Sequence, residues 1–533
     1  MALKSLNELE NIQSDNKLRS DIRELGKILG EILIEQESKS LFDTVEKLRG
    51  LTKDLRTAYS AATHKQIQKV ISSLGVEESY NVVRAFSIYF ILVNAADEVN
   101  KIRNERIEIA EGKLIAGSFK KLFNEFKEAK ISEKQIFEIL DTVEIIPVFT
   151  AHPTEATRQT ILRKILRISK ILLIRDTRLL TDEELEQIRR DLRAEITMLW
   201  QSNEIRFHKV TVQDEIQRGL FFFKEVIYDL IPEFYLRINT QLKTVYDTVQ
   251  KSPPILQFGS WMGGDRDGHP YVTAEISKET FLNSRSQIIK LYLDDLDGVY
   301  QFLSTSTNIS TASKALIDSV ERDRELIGSE LNLSQHREPS EIYRIKLLFI
   351  YQKLQNVLKQ TGPRYLSCDE FIDELNLIYS SLNENKGMIL SESEILPLLL
   401  KAKTFGFHLA KLDIRQNSSI LNSAVSDLFN VSEVEESFET KSEMEKVEIL
   451  SREILNSRPL VGSNSVLNES TQKVLNEFKL IKWGRKNISE SSCGDFIISN
   501  SAVASDVLSA LLLAKEVGLL KVKNKRIESS IID

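Results

Sequence analysis

Glycine and proline are scarce in this chain, with 20 and 10 among 533 residues, well below the roughly 7% and 5% usual in soluble proteins. So few turn-formers and helix-breakers exclude an all-β sandwich and predict many long helices. There are only two cysteines, Cys368 and Cys493, far apart in sequence. They exclude a disulfide framework or a four-thiolate zinc site and fit a reducing compartment. No basic stripe is present: lysine and arginine are dispersed and the formal net charge is −7, so no nucleic-acid groove is expected. Long apolar runs are missing too. The longest charge-free apolar stretch, 85–96, lies between Arg84 and Asp97, whereas a membrane span takes about 20 residues. It predicts a buried core helix, and no membrane partner is expected. The N-terminus is amphipathic and acidic rather than signal-like, which leads to the expectation of a soluble cytoplasmic protein. What is there is ordinary for a globular chain, 42% hydrophobic and 28% charged, and excludes wholesale disorder.

From residue 7 to about 140 the pattern is helical throughout. Leu18, Ile22, Leu25, Ile28 and Leu29 recur at helical spacing, as do Leu41, Val45 and Leu48, and no proline interrupts them. The first strand signal is the run 144–150. It leads into Ala151-His152-Pro153-Thr154-Glu155 and then a helical pattern through Ile161, Ile165 and Ile168. Three more short strands are expected at 255–258, 405–414 and 495–499, with long helical stretches between them. Residues 431 to about 477, rich in Ser, Glu and Lys, read as an exposed helix-and-loop excursion with a solvated face. Strands alternating with helices predict parallel β packing with helices outside. The expected division is a helical region at 1–140 and an α/β region at 141–533. In such sheets ligand-binding residues cluster in the loops after the strands.

Those strand ends carry the unusual residues. His152 precedes a proline, which holds it extended at the end of its strand. Pro153, Thr154 and Glu155 then suit a helix start. The imidazole there serves either proton transfer on an anionic substrate or the capping of a turn. The densest glycine cluster is Gly259-Ser260-Trp261-Met262-Gly263-Gly264-Asp265-Arg266-Asp267-Gly268-His269-Pro270. Its glycines permit positive φ and close backbone approach, but it matches neither a P-loop nor a dinucleotide fingerprint. Arg266 either meets an anion or is locked by Asp265 and Asp267, and the two aspartates read as scaffold before catalysis. Trp261 is core or the wall of a small apolar pocket, and His269 reads as a loop residue rather than a metal ligand. Arg415, in Asp413-Ile414-Arg415-Gln416, lies at a strand exit. Its guanidinium either forks a phosphate or carboxylate or pairs internally with Asp413.

Together, Val148-Phe149-Thr150-Ala151-His152-Pro153-Thr154-Glu155 and Ser260-Trp261-Met262-Gly263-Gly264-Asp265-Arg266-Asp267-Gly268 resemble two signature motifs of the phosphoenolpyruvate carboxylase family, in its bacterial form. The resemblance runs through nearly the whole chain, from Leu18-Arg19-Ser20-Asp21-Ile22 through Leu412-Asp413-Ile414-Arg415-Gln416 to Ala504-Ser505-Asp506-Val507-Leu508. It implies a mostly α fold around an eight-stranded α/β (TIM-like) barrel, of which this chain holds about the first half of the strands, and usually a homotetramer. It implies carboxylation of phosphoenolpyruvate with bicarbonate, dependent on Mg2+ or Mn2+ and on no organic cofactor, to give oxaloacetate and phosphate. Phosphoryl transfer yields carboxyphosphate and an enolate, which captures the carbon dioxide released. By resemblance His152 and Arg415 are catalytic, Arg415 also contacting the anionic substrate, and Trp261 lines the pocket for the substrate's methylene carbon.

Some positions depart from the family pattern. Gln159 stands where a second arginine commonly follows Arg158, Asn417 and Leu421 replace a Glu and a His, and His269 replaces an Asn. Family members continue for several hundred residues, and their metal-binding carboxylates and Gly/Arg-rich loop fall beyond Asp533, so no metal ligand is assigned here. Glu528 lacks the flanking residues of the family's metal glutamate. The expectation is a portion of the enzyme that is inactive alone and prone to associate through unpaired strand edges. The alternative is a non-catalytic scaffold or regulatory remnant of the same fold. A nucleotide-dependent kinase is set aside for want of a phosphate loop.

Overall fold

The computed structural model describes residues 2–150, 157–204, 210–267, 271–328, 338–462, 465–523 and 526–529. These residues are mostly helical, with one small parallel sheet and a separate hairpin, and divide into two compact units. No helix among them is long and apolar enough to cross a membrane.

The first unit comprises residues 1–124 and 154–209. Its long helices bury the stripes that helical spacing predicts. Leu25, Ile28, Leu29, Ile32 and Leu33 of the helix Ala2–Gln36 meet Leu41, Val45 and Leu48 of Lys39–Thr57. Ala85, Ile88, Leu92, Ala95 and Ala96, within the charge-free run, are buried on Val76–Ala110. Serine caps begin several helices: Ser38 accepts from Leu41 N, satisfying an otherwise orphaned donor. A charged cluster ties three helices together. Asp21, 2% exposed, receives Arg103 at 2.9 Å and Arg175 at 2.5 Å, and Asp176 receives Arg103 at 2.6 Å and Lys17 at 2.7 Å. Burial alone would raise the Asp176 carboxyl, but Lys17 and Arg103 together hold it below the usual carboxylate range.

The second unit comprises residues 125–153 and 210–533. Its sheet runs β1 (Val148–Phe149), β2 (Gly259–Ser260), β3 (Lys411–Asn417), β4 (Cys493–Ser499), parallel and in sequence order. Long helices follow β2, β3 and β4. A further pair, β5 (Leu520–Lys523) and β6 (Arg526–Ser529), forms an antiparallel hairpin apart from it, which the sequence reading did not anticipate. Beneath the sheet lies an aromatic layer in which Phe258 stacks on Phe405 at 5.6 Å and Phe223 meets both rings edge-on.

The strand boundaries differ from expectation for identifiable reasons. The apolar stretch 255–258 is extended but does not close a full ladder with 145–148. Ile145 N donates to Ile255 O and Gln257 N to Ile145 O, but Pro147 has no N–H to continue. Regular pairing therefore begins at Gly259. At 405–414 the expected strand starts only at Lys411. Phe405 ends the helix Leu396–Phe405, Gly406 at φ 52° terminates it, and Leu409 at φ 67° completes the turn. The Phe405 and Phe407 alternation serves the aromatic layer instead. The 431–477 stretch is also less exposed than predicted. The helices Glu443–Ile454 and Glu469–Asn487 bury Ile449, Leu450, Ile454, Val474, Leu475 and Phe478 in one core with Leu421 and Leu513.

The Asp21 cluster generates a prediction. Truncating Arg103 to alanine removes one of the two cations on buried Asp21, leaving Arg175, and is expected to destabilise the first unit by about 1.5–3 kcal/mol, the value of a charged hydrogen bond. A urea-unfolding midpoint indistinguishable from wild type would show that the cluster is not a stabilising lock.

Candidate active site

The glycine loop turns sharply after β2. Trp261 N donates to Phe149 O at 2.8 Å, and Gly264 N and Asp265 N both donate to Trp261 O, at 2.8 and 3.0 Å. Gly263 sits at φ 80°, a region that disfavours side chains. Gly264 packs so closely on β3 that an added Cβ would overlap the Asp413 carbonyl oxygen. That approach lets the loop extend the sheet. Arg415 N donates to Gly264 O at 3.1 Å and Arg266 N to Arg415 O at 3.0 Å, forming a parallel bridge between Asp265 and Arg415.

Alternation along these two extended segments decides where each side chain goes. Asp265 and Asp267 fall on one face and clasp Arg415, with Nη1 3.0 Å from Asp265 and Nη2 2.8 Å from Asp267. The Arg415 guanidinium carbon lies 5.3 Å from the centre of the Trp261 ring, in cation–π range. Trp261 Nε1 donates to Asp413 Oδ2 at 3.0 Å, and Asp413 Oδ1 accepts from Asp495 N at 2.9 Å. Burial pushes the Asp413 carboxyl above its usual range, against the pull of those two N–H groups. The structure thus answers two readings left open above. Arg415 pairs with Asp265 and Asp267 rather than with Asp413, and these aspartates hold Arg415 rather than Arg266.

Arg266, on the opposite face, turns into the protein and is 7% exposed. Nη1 donates to Gly264 O and Nη2 to Ser277 Oγ, both at 2.7 Å. Ser277 Oγ in turn donates to Gly263 O. Arg266 Nε lies 3.2 Å from Glu477 Oε1, but out of hydrogen-bond alignment, so the contact is one of charge. Gln416 Nε2 donates to both Glu477 oxygens, at 3.2 and 3.4 Å. Burial lowers the Arg266 pKa and raises that of Glu477 to about 7, although Arg266 and Gln416 oppose the latter shift.

His152, Pro153, Thr154, Glu155 and Gly268, and with them His269, lie outside the described residues. Trp261, Gly263, Gly264, Asp265, Arg266, Asp267 and Arg415 are brought together. Sequence reasoning missed Ser277 and Glu477. A signal for Glu477 existed: with Leu480 and Gly484 it keeps the i, i+3, i+7 spacing of a buried helix face.

The arrangement is that of a mostly helical protein with charged and aromatic groups gathered where the chain leaves a small parallel sheet. Residues 18–532 match the family model for phosphoenolpyruvate carboxylase, and the chain belongs to that family. It is 33% identical over 522 residues to a phosphoenolpyruvate carboxylase of Roseiflexus castenholzii, covering 95% of this chain and 56% of that one. It is 32% identical over 508 residues to one from Prochlorococcus marinus (87% and 51%). A third, from Paraburkholderia xenovorans, is 32% identical over 531 residues (95% and 52%). The chain thus spans about half the length of these curated relatives.

Two predictions follow from the geometry. Between pH 4.5 and about 7 the folded chain keeps a proton on Glu477 that the unfolded chain releases. This group's contribution to stability therefore falls as pH rises through that window, by something on the order of 3 kcal/mol, and changes little above it. Urea midpoints of wild type and Glu477→Gln compared at pH 5 and pH 8 should diverge, with wild type losing ground at pH 8; parallel profiles would contradict the assigned burial. Separately, Gly264→Ala should lower stability by about 1–3 kcal/mol through overpacking and perturb Trp261 fluorescence. An unchanged emission spectrum would count against the close approach.

Proposed function

We propose that this chain supplies the anion-holding and pocket-wall residues of a site that carboxylates phosphoenolpyruvate with bicarbonate, giving oxaloacetate and phosphate. In the same reading its sheet is the first half of an eight-stranded barrel, in a protein that assembles as a homotetramer in the cytoplasm. The observation that carries it is the Arg415 guanidinium, steered across the Trp261 ring by two aspartates at the strand ends. A guanidinium has five N–H donors, so two aspartate bonds orient the fork and leave donors for a phosphate or carboxylate. The Trp261 ring offers an apolar wall for a methylene carbon while its N–H is occupied by Asp413. Arg415 would hold the substrate's charge through phosphoryl transfer and enolate formation, an electrostatic role that strengthens as water is excluded. The proposal gives His152 the proton handling during carboxyphosphate breakdown.

The described cluster sets one cation, Arg415, against Asp265, Asp267 and Asp413. A multiply charged phosphate needs more positive charge than this. Mg2+ or Mn2+ is what the family resemblance implies, but these carboxylates do not fit such an ion. Each is committed to a partner, and among the described residues no three His, Cys, Asp or Glu side chains form a metal site. No step is assigned to a metal. Among the described residues this charge deficit is what supports the expectation that the 533-residue chain does not turn over alone.

Two measurements on the purified chain test the reading: calorimetric titration with phosphoenolpyruvate, and a malate dehydrogenase-coupled assay with magnesium and bicarbonate. Binding without turnover is expected, and Arg415→Ala should weaken binding about 10- to 100-fold, the value of a charged hydrogen bond. Equal affinity in wild type and variant would remove Arg415 from the site. Turnover at an intact enzyme's rate would refute the inactivity.

A further inference from the structure

We propose that Glu477 is a positioning residue for the anion-binding Arg415, bracing through Arg266 and Gln416 the two backbone segments on either side of it. This rests on the function proposed above. Arg415 is flanked by two extended segments, the loop at Gly263–Arg266 and the strand at Gln416, whose inward side chains meet at one carboxylate. From the loop, Arg266 grips the Gly264 carbonyl and, through Ser277, the Gly263 carbonyl. From the strand, Gln416 donates to Glu477 and accepts from Asn417 N at 2.9 Å. Gly264 O is the same atom that receives Arg415 N. A shift of Arg266 therefore moves the backbone bridge on which Arg415 and its clasp are built.

Several elements pack on the helix Glu469–Asn487; the turn after it, Glu490–Ser492, sets Glu490 3.6 Å from Arg485 at the far end. Arg266 faces Glu477 directly, and Asp265 acts on Arg266. On the helix Ala274–Phe302, Lys278 lies over Trp483 and Arg285 donates to Asn487 O, both toward the far end. From the helix after β3, from β4 and from the helix after it, the neighbours in the core are apolar: Leu421, Phe496 and Leu512. Arg266 is thus the one cation near this carboxylate among the described residues, and Glu477 its one close counter-charge. With Glu477 ionised, Arg266 is drawn inward and the loop is held. With Glu477 protonated, Arg266 keeps only Asp265, itself bonded to Arg415, as a counter-charge, and the bridge loosens. Ionisation near neutrality makes the brace sensitive to pH across that region.

Two readouts on the 533-residue chain test this. The first uses 5-fluorotryptophan labelling, with the Trp261 fluorine signal identified by its loss in Trp261→Phe. That signal should titrate with a midpoint near pH 7 in wild type and stay flat from pH 6 to 8 in Glu477→Gln. The second is phosphoenolpyruvate affinity at pH 8, expected to fall about 5- to 20-fold in Glu477→Gln and to recover at least half-way in Glu477→Asp. An indole signal that titrates identically in wild type and Glu477→Gln overturns the proposal, and so does an unchanged affinity in that variant. Should wild type bind no phosphoenolpyruvate at all, the functional reading fails, while the fluorine titration still decides the brace. If Glu477→Gln does not fold, Ser277→Ala, which cuts the same linkage at a hydroxyl, should weaken affinity in the same direction; wild-type affinity there would also overturn it.

Discussion

The site depends on one backbone bridge, the pairing of the glycine loop with β3 at Asp265 and Arg415. Everything else is arranged around keeping that seam closed. Two glycines bring the loop against the strand, and the alternation of extended chain then sorts five side chains without further instruction. Asp265, Asp267, Asp413 and Arg415 go to the side that faces Trp261 and Arg266 goes to the helix side. A single-residue slip would exchange these sets, turning the aspartates toward the helix side and Arg266 away from Glu477.

Much of this was legible in the residues. The glycine cluster, the Asp-x-Arg and the helical stripes of the first unit all marked their positions, because each follows from local rules of spacing and backbone freedom. What could not be read was pairing. Nothing local distinguishes an arginine bonded to the aspartates beside it in sequence from one bonded to aspartates about 150 residues away. The burial of Glu477 escaped for a related reason: the Ser-, Glu- and Lys-rich stretch leading to it read as solvated, and only contacts with Gln416 and Arg266 from distant segments take it out of water. The strand limits were misjudged where one backbone feature, the missing N–H of Pro147 or the left-handed turn at Leu409, overrode an apolar pattern.

The buried Arg266–Glu477 contact is not a stabilising device in the ordinary sense. The carboxylate resists ionisation where it stands, and its charged form makes the fold less stable. Ionic groups retained under such conditions are better explained by the geometry they enforce than by the energy they contribute. The contrast with the Asp21 cluster is informative. There several cations surround each carboxylate, while here one guanidinium meets one carboxylate out of alignment.

Arg415 and Trp261 are unequally tethered. Arg415 rides on a seven-residue strand that pairs along most of its length with β4, whereas Trp261 follows a two-residue strand whose ladder is broken at Pro147. The guanidinium is therefore anchored by strand pairing and the indole by the loop that carries it. What keeps the indole in place is then less the strand behind it than its own bond to the Asp413 carboxylate and its contact with the Arg415 guanidinium.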